Sequence, residues 1–228
     1  MLIGGWNIEE AGARQFNVVW GYHGITPHSE WNQNSEVPVF ADATIGFKPL
    51  QIVIVVKEPG GRESIRESVS KILTHLIKPA EIILDGMEHK FYGYLKSYTV
   101  AETSKKRFHA LTLNMEGYEY GDEVEVSGMQ AVEAWNGGTI PAPMQLTLTV
   151  PSGLSSLTIT GLDDPVTLTG ISSGGTILID SENGIVKKGT ALLPTSFLRF
   201  PRIPTGVVNI SCDNASTSVH LVFKPRFM

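Results

Sequence analysis

The chain is short of cysteine, of positive charge and of long apolar runs, and each shortage removes a class of function. Cys212 is the single cysteine among 228 residues. Neither an intramolecular disulfide nor a zinc site built from several thiolates is therefore available, which suits folding in a reducing compartment. The formal net charge of −5 supplies no basic field to gather phosphates, so sequence-general binding of nucleic acid or of anionic lipid is disfavoured. The longest apolar run, Leu50 to Val56, is interrupted by Gln51 and is far too short to cross a bilayer. Met1 to Glu10 lacks the basic start and apolar stretch of an export signal, so the expectation is a chain neither secreted by that route nor inserted in a membrane.

What remains is a folding composition: 42% hydrophobic against 18% charged residues, too apolar for a disordered chain. The two halves differ in kind. Residues 1–135 carry 18 acidic and 12 basic side chains, a net of −6, whereas residues 136–228 carry 5 and 6, a net of +1. The change falls at Asn136-Gly137-Gly138-Thr139-Ile140-Pro141-Ala142-Pro143, where glycine and proline interrupt regular structure. Two domains are expected, 1–135 and 136–228.

In the first half, Phe16 to Trp20 and Leu50 to Val56 have strand composition, the latter apolar enough to be covered on both faces. The period then changes: Ile65, Val69, Ile72, Leu73 and Leu76 line one side of a helix. Ser64 with Glu67 matches a capping box, and Pro79 blocks continuation, so the spacing predicts a helix over Ile65 to Ile77. Glu81 to Leu84, the Asp85-Gly86 turn and Lys90 to Val100 read as a hairpin, followed by a strand over Phe108 to Met115. Gly21 to Pro49 is irregular, with His23, Pro27, Trp31, Asn32, Asn34 and Pro38, and a loop of that length is read as reaching toward a partner or neighbouring subunit.

The second half alternates strictly. Met144, Leu146, Leu148 and Val150 face one side while Gln145, Thr147 and Thr149 face the other. The pattern recurs at Leu157/Ile159, Val166/Leu168, Ile177/Ile179, Val208/Ile210 and Val219/Leu221/Phe223, separated by turns at Gly161, Gly174-Gly175, Asn183-Gly184 and Asp213-Asn214. Short strands at this spacing predict an antiparallel sandwich or jelly roll. The fold class is thus mainly β with one α-helix: a β-sandwich-like first domain with a flanking helix, then an antiparallel β-sandwich.

No set of residues forms a catalytic, cofactor or metal motif, so no such site is assigned and an enzyme is disfavoured. His23 and His28 form the nearest histidine pair but have no third ligand; His75, His89, His109 and His220 read as satisfied or solvated. Asp163-Asp164 before Pro165, and Asp180 before Asn183-Gly184, read as turn formers. Gly60-Gly61 lacks the lysine of a phosphate loop. Cys212 reads as a small buried side chain. Glu116, Glu119, Asp122, Glu123 and Glu125, interleaved with Tyr118 and Tyr120, concentrate negative charge; a solvated surface is the plain reading.

The helix Ile65 to Ile77 followed by Ala80-Glu81-Ile82-Ile83-Leu84-Asp85-Gly86 and Phe91-Tyr92-Gly93-Tyr94, and the later run Thr176 to Asp180, Asn183-Gly184, Pro204 to Ile210 and Val219 to Phe227, resemble the distal tail proteins of long-tailed, non-contractile phages. The chain departs from that pattern at Glu36-Val37-Pro38 and at Pro204 to Asn209. The resemblance implies a ring-forming first domain and a galectin-like second domain, assembled as a homo-hexameric hub at the tail tip. It implies a structural protein of the virion, made in the bacterial host cytoplasm. Its partners would be the tail tube protein, a tail-associated hub or fibre protein and a receptor-binding protein, with DNA only in transit through a channel. In that setting some of Glu116 to Glu125 would line the channel and discourage phosphate from adhering.

The alternative is a carbohydrate-binding, lectin-like module, because such sandwiches often hold sugars. A sugar site needs an exposed aromatic platform beside polar groups. Residues 136–228 contain no tryptophan or tyrosine, which weighs against it, leaving Trp6, Trp20, Trp31 and Trp135 of the first half as the available platforms.

Overall fold

The computed structural model describes residues 1–30, 39–57, 62–102, 108–195, 197 and 199–228. It comprises two compact units, Met1–Glu119 with Met228, and Tyr120–Phe227.

The first unit contains β1 (Leu2–Ile3), β2 (Trp6–Asn7), β3 (Ala13–Trp20), β4 (Ile25–Glu30), β5 (Val39–Ile45), β6 (Lys48–Lys57), α1 (Arg62–Thr74), β7 (Ala80–Ile83), β8 (Lys90–Glu102) and β9 (Phe108–Tyr120). Its main sheet runs in the order β2-β1-β7-β8-β9-β6-β3. Alternation decides which side chains go inward. Leu50, Ile52, Ile54 and Val56 of β6 are buried, and Leu111, Leu113 and Met115 of β9 join them. The helix closes this core with Ile65, Val69 and Ile72, and Leu76 follows in the turn after it. Both sides of β6 are thus not equally covered: one faces the core, while Gln51 and Lys57 are exposed. Where β8 meets β9 the backbones come unusually close. A Cβ on Gly117 would lie 2.1 Å from the Tyr92 carbonyl oxygen, and one on Gly93 would lie 2.4 Å from that of Glu116, so only glycine fits.

The helix begins earlier than its capping pattern predicts. Arg62 and Glu63 already have helical backbone, which puts Ser64 inside the first turn instead of at the cap. It also ends at Thr74, whose hydroxyl donates to the Ser70 carbonyl at 2.8 Å. His75 and Leu76 N–H then donate to Ile72 and Leu73 carbonyls, at 3.2 and 3.0 Å, a tightened last turn of the 3₁₀ kind.

The stretch read as an irregular loop contains order. β4 and β5 pair as an antiparallel ribbon with Ile25 opposite Ile45 and a register shift at His28/Ser29. Its backbone hydrogen bonds need no apolar alternation, which is why side-chain periodicity did not reveal it. Trp31, Asn32, Asn34 and Glu36-Val37-Pro38 lie outside the described residues, as do Gly60-Gly61.

The second unit contains β10 (Val124–Met129), β11 (Ala131–Asn136), β12 (Met144–Val150), β13 (Ser156–Thr160), β14 (Val166–Thr169), β15 (Gly175–Asp180), β16 (Ile185–Lys188), β17 (Ala191–Leu192), β18 (Gly206–Cys212), β19 (Ser218–Phe223) and β20 (Arg226–Phe227). Two sheets form, β10-β19-β12-β15-β16-β17 and β11-β18-β13-β14. Their inward residues, among them Leu146, Leu148, Ile177, Leu221 from one and Leu157, Ile159, Ile210 from the other, make one core, which defines a β-sandwich.

Composition changes at residue 136, whereas contacts divide between Glu119 and Tyr120. The reason is strand pairing: β10 pairs with β19, Val126 opposite Leu221, and β11 pairs with β18, Ala134 opposite Val208. Charge does not report which partner a strand will find.

Candidate functional site

The outward face of the first unit's sheet is held by its own side chains. Gln51 Nε2 donates to Asn114 Oδ1 at 3.0 Å, and Asn114 Nδ2 donates to Ser97 Oγ at 3.0 Å. Lys96 pairs with Glu116, which also accepts from the Tyr94 hydroxyl at 2.8 Å. Donation from Lys96, then from Tyr94, holds the Glu116 carboxyl below its usual range; the same bonds raise the Lys96 ammonium and the Tyr94 phenol. Tyr92 lies 5.5 Å from Tyr118, and Phe47 meets Tyr94 edge-on at 6.0 Å between centroids.

The acidic stretch therefore does not act as one surface. Glu119 points inward and pairs with the buried Lys48, and its other carboxylate oxygen lies 2.8 Å from His89 Nδ1, within hydrogen-bond reach. Lys48 sits over the Trp20 ring at 5.1 Å and donates to the Met228 carbonyl at 3.0 Å. Glu123 faces Lys224 at 3.9 Å and Glu125 faces His220 Nε2 at 3.7 Å, both within the second unit. Glu116, Glu119 and Glu123 thus each face a lysine, the Glu119 pair buried and the Glu123 pair exposed and weak.

A second surface arises at a corner of the sandwich. Gln130 adopts φ 63°, alone among described non-glycine residues in having positive φ, and turns the chain from β10 in one sheet to β11 in the other. The corner is pinned by Gln130 N–H to the Thr217 carbonyl and by Cys212 N–H to the Gln130 carbonyl, each 2.8 Å. At the far end of β11 the buried Asn136 amide donates to Ile203 and Pro204 carbonyls at 3.1 and 3.0 Å and accepts from Gly138 N–H at 3.0 Å. Between these anchors the alternation turns Val132, Ala134 and Asn136 inward and Glu133 and Trp135 outward. Trp135, 62% exposed, thus stands on the four-stranded sheet of the sandwich. Sequence composition counts Trp135 with the first half, whereas its pairing with Val207 puts it in the second unit.

The remaining candidates settle into structural roles, except His109, whose Nδ1 is neither satisfied nor solvated among the described residues. His23 Nδ1 bonds the Gly46 carbonyl, and His28 Nε2 bonds Thr44 Oγ1 at 2.7 Å, so the histidine pair serves the ribbon. His75 stacks on Trp6 at 4.4 Å, and His220 Nδ1 bonds Ser127 Oγ at 2.8 Å. His109, whose Nδ1 is buried without a partner among the described residues, lines a groove of about 690 Å³ beside α1 together with Tyr98 and Val100. Asp180 accepts from Glu182 and Asn183 N–H at 3.1 and 3.0 Å, which is turn chemistry, whereas Asp163 accepts locally from Asp164 N–H at 3.1 Å and also from Arg202 N–H, 39 residues on, at 2.7 Å, so it ties its turn to a distant segment. Cys212 is buried and desolvation pushes its thiol up to about 11. Among the described residues no group of three or more His, Cys, Asp or Glu is placed to hold a metal ion, and no helix is long and apolar enough to cross a membrane.

No protein-family model and no curated protein sequence matches the chain. Solved structures do. The crystal structure of the Dit protein of phage SPP1, a paradigm of the hub adsorption apparatus in phages that infect Gram-positive bacteria, matches over 100% of this chain and 98% of that one, with TM-score 0.72 and 14% identity. Two structures of the phage P2 baseplate in its activated conformation, with Ca and with Sr, match at TM-scores 0.48 and 0.42. Their identities are 11% and 12%, over 96% of this chain and 92% of those chains. The chain has the fold of the SPP1 Dit protein along its whole length, mainly β with one helix.

Proposed function

We propose that the chain is a structural hub protein of a phage tail tip, a homo-hexameric ring that joins the tail tube to tail-tip and host-adhesion proteins and leaves a channel for DNA. The observation that carries this reading is the full-length likeness in fold to SPP1 Dit. The first unit is the ring former. Its sheet is open at both sides: β3 is an edge strand with Phe16 75% exposed at the irregularity between Gln15 and Asn17. On the other side β7 pairs with β8 only over Phe91 to Gly93, leaving the longer end of β8, with exposed Tyr98 and Val100, beyond it. Two different open edges suit a heterologous contact repeated by rotation until it closes. The sandwich is then the outer attachment domain, and the protein belongs to the virion after synthesis in the host cytoplasm.

Light scattering and electron microscopy of the full chain, alone and mixed with the tail tube protein of the same phage, test this. Six copies around a central opening are expected. A chain that remains monomeric in both preparations defeats the reading.

A further inference from the structure

We infer that the outer face of the four-stranded sheet of the second unit, centred on Trp135, is a binding site for a neutral saccharide. This goes beyond the hub role, which would hold with or without it.

The geometry is that of a platform with polar neighbours. Trp135 lies opposite Val207 on β18, and Glu133 lies opposite Asn209 one step along the same face. Beyond them Ser211 lies opposite Thr160, their hydroxyls 2.9 Å apart. Glycines flank the indole: a Cβ on Gly137 would come within 3.2 Å of its Nε1, and Gly206 sits where a Cβ would be 3.9 Å from Cζ3. The lack of a side chain at both positions leaves room along two margins of the ring. The indole N–H, the Glu133 carboxylate and the Asn209 side-chain amide make no hydrogen bond within the described residues, so all three are available outward.

The chemistry selects the ligand class. One face of a pyranose presents C–H groups that pack against an aromatic ring, while its hydroxyls need donors and acceptors around the rim. Trp135 supplies the first; Asn209, Glu133 and the Ser211/Thr160 hydroxyls supply the second. Strands β11, β13, β14 and β18 contain no lysine or arginine, and their exposed Glu133 carboxylate repels anions, so a phosphorylated or sulfated polymer is a poor match. A protein partner is also a poor match: stable protein contacts bury about 800 Å² per side around an apolar centre, and here Val207 is the only large aliphatic side chain beside the indole, amid Ser, Thr, Asn and Glu.

The test uses the full chain on a surface of immobilised neutral oligosaccharides of glucose, galactose, N-acetylglucosamine and N-acetylgalactosamine. Saturable binding to at least one of them is expected, with affinity falling about tenfold or more in Trp135→Ala and partly recovered in Trp135→Phe. Asn209→Ala should lose a smaller factor while keeping the same unfolding midpoint as wild type, which separates loss of ligand contact from loss of fold. No binding at millimolar saccharide, or binding indifferent to both Trp135→Ala and Asn209→Ala, overturns the proposal. So does a result in which Trp135→Ala changes only the mass of the assembly, since that would make the face a protein contact. The outcome is independent of whether the chain forms a ring, which the mass of the wild-type particle reports separately.

Discussion

The outward sheet faces of the two units differ in how far their polar side chains bond one another: on the four-stranded sheet Ser211 and Thr160 do so at 2.9 Å, yet three groups around them stay open. In the first unit Gln51, Asn114 and Ser97 bond one another and Glu116 is taken by Lys96 and Tyr94; on the four-stranded sheet of the second, Glu133, Asn209 and the Trp135 indole are left to the outside. A cross-linked face keeps its shape whatever it meets, whereas unpaired groups around an aromatic ring are available to a ligand. The cores differ as well. One sheet in the first unit is closed by a helix and short N-terminal elements, while the second unit is closed by a facing sheet.

The largest expected effect comes from breaking either core alone. Phe91 is fully buried in the first core, edge-on to Trp20 at 6.1 Å, and Phe91→Ala should cost about 3–5 kcal/mol. Leu221→Ala in the second core should cost about 2–5 kcal/mol. Amide hydrogen exchange should then show protection lost mainly within residues 1–119 in the first variant and within 120–227 in the second. Equal loss throughout by both would mean that the two units unfold as one.

A smaller effect is expected at a turn of the sandwich. Asp180 accepts from the N–H of Glu182 and Asn183, from the Asn183 amide at 2.8 Å and from Gln145 Nε2 at 3.1 Å. Asp180→Ala leaves these donors without their partner and should lower stability by about 1–3 kcal/mol, read as a lower urea midpoint. If only the first unit's face depends on side-chain networks, this variant will unfold like wild type.

The smallest effect is at Cys212. Its thiol is raised from 9.0 to about 11, mainly by desolvation and secondarily by Asp213. Raised in the folded state, it contributes stability that is complete below pH 9 and lost as pH climbs through about 11. At pH 8 the folded thiolate fraction should be about a hundredfold below that of the unfolded chain, so iodoacetamide should label Cys212 slowly until urea unfolds the protein. Rapid labelling of native protein would show the β18 end of the sandwich opening.

Much of this architecture was legible in the residues themselves. Strict alternation through Met144 to Val150 and Val219 to Phe223 declared strands with one buried face, and the spacing of Ile65, Val69, Ile72 and Leu76 declared a helix, because both patterns arise from local backbone periodicity. The turn residue Asp180 announced its bonds to Glu182 and Asn183 N–H for the same local reason, whereas the Asp163 bond to Arg202 N–H, 39 residues on, was not legible. The β4–β5 ribbon was hidden, since backbone pairing leaves no mark on side-chain order.

By itself, then, the amino-acid order determined the fold class, the inward residues and the shortage of motifs for chemistry. Only tertiary structure decided the rest. It assigned β10 and β11 to the sandwich through pairing with β19 and β18, divided the acidic segment between buried and surface ion pairs, and set Trp135 on an open face between two anchors. These depend on partners tens of residues away, and charge or periodicity along one segment carries no information about them.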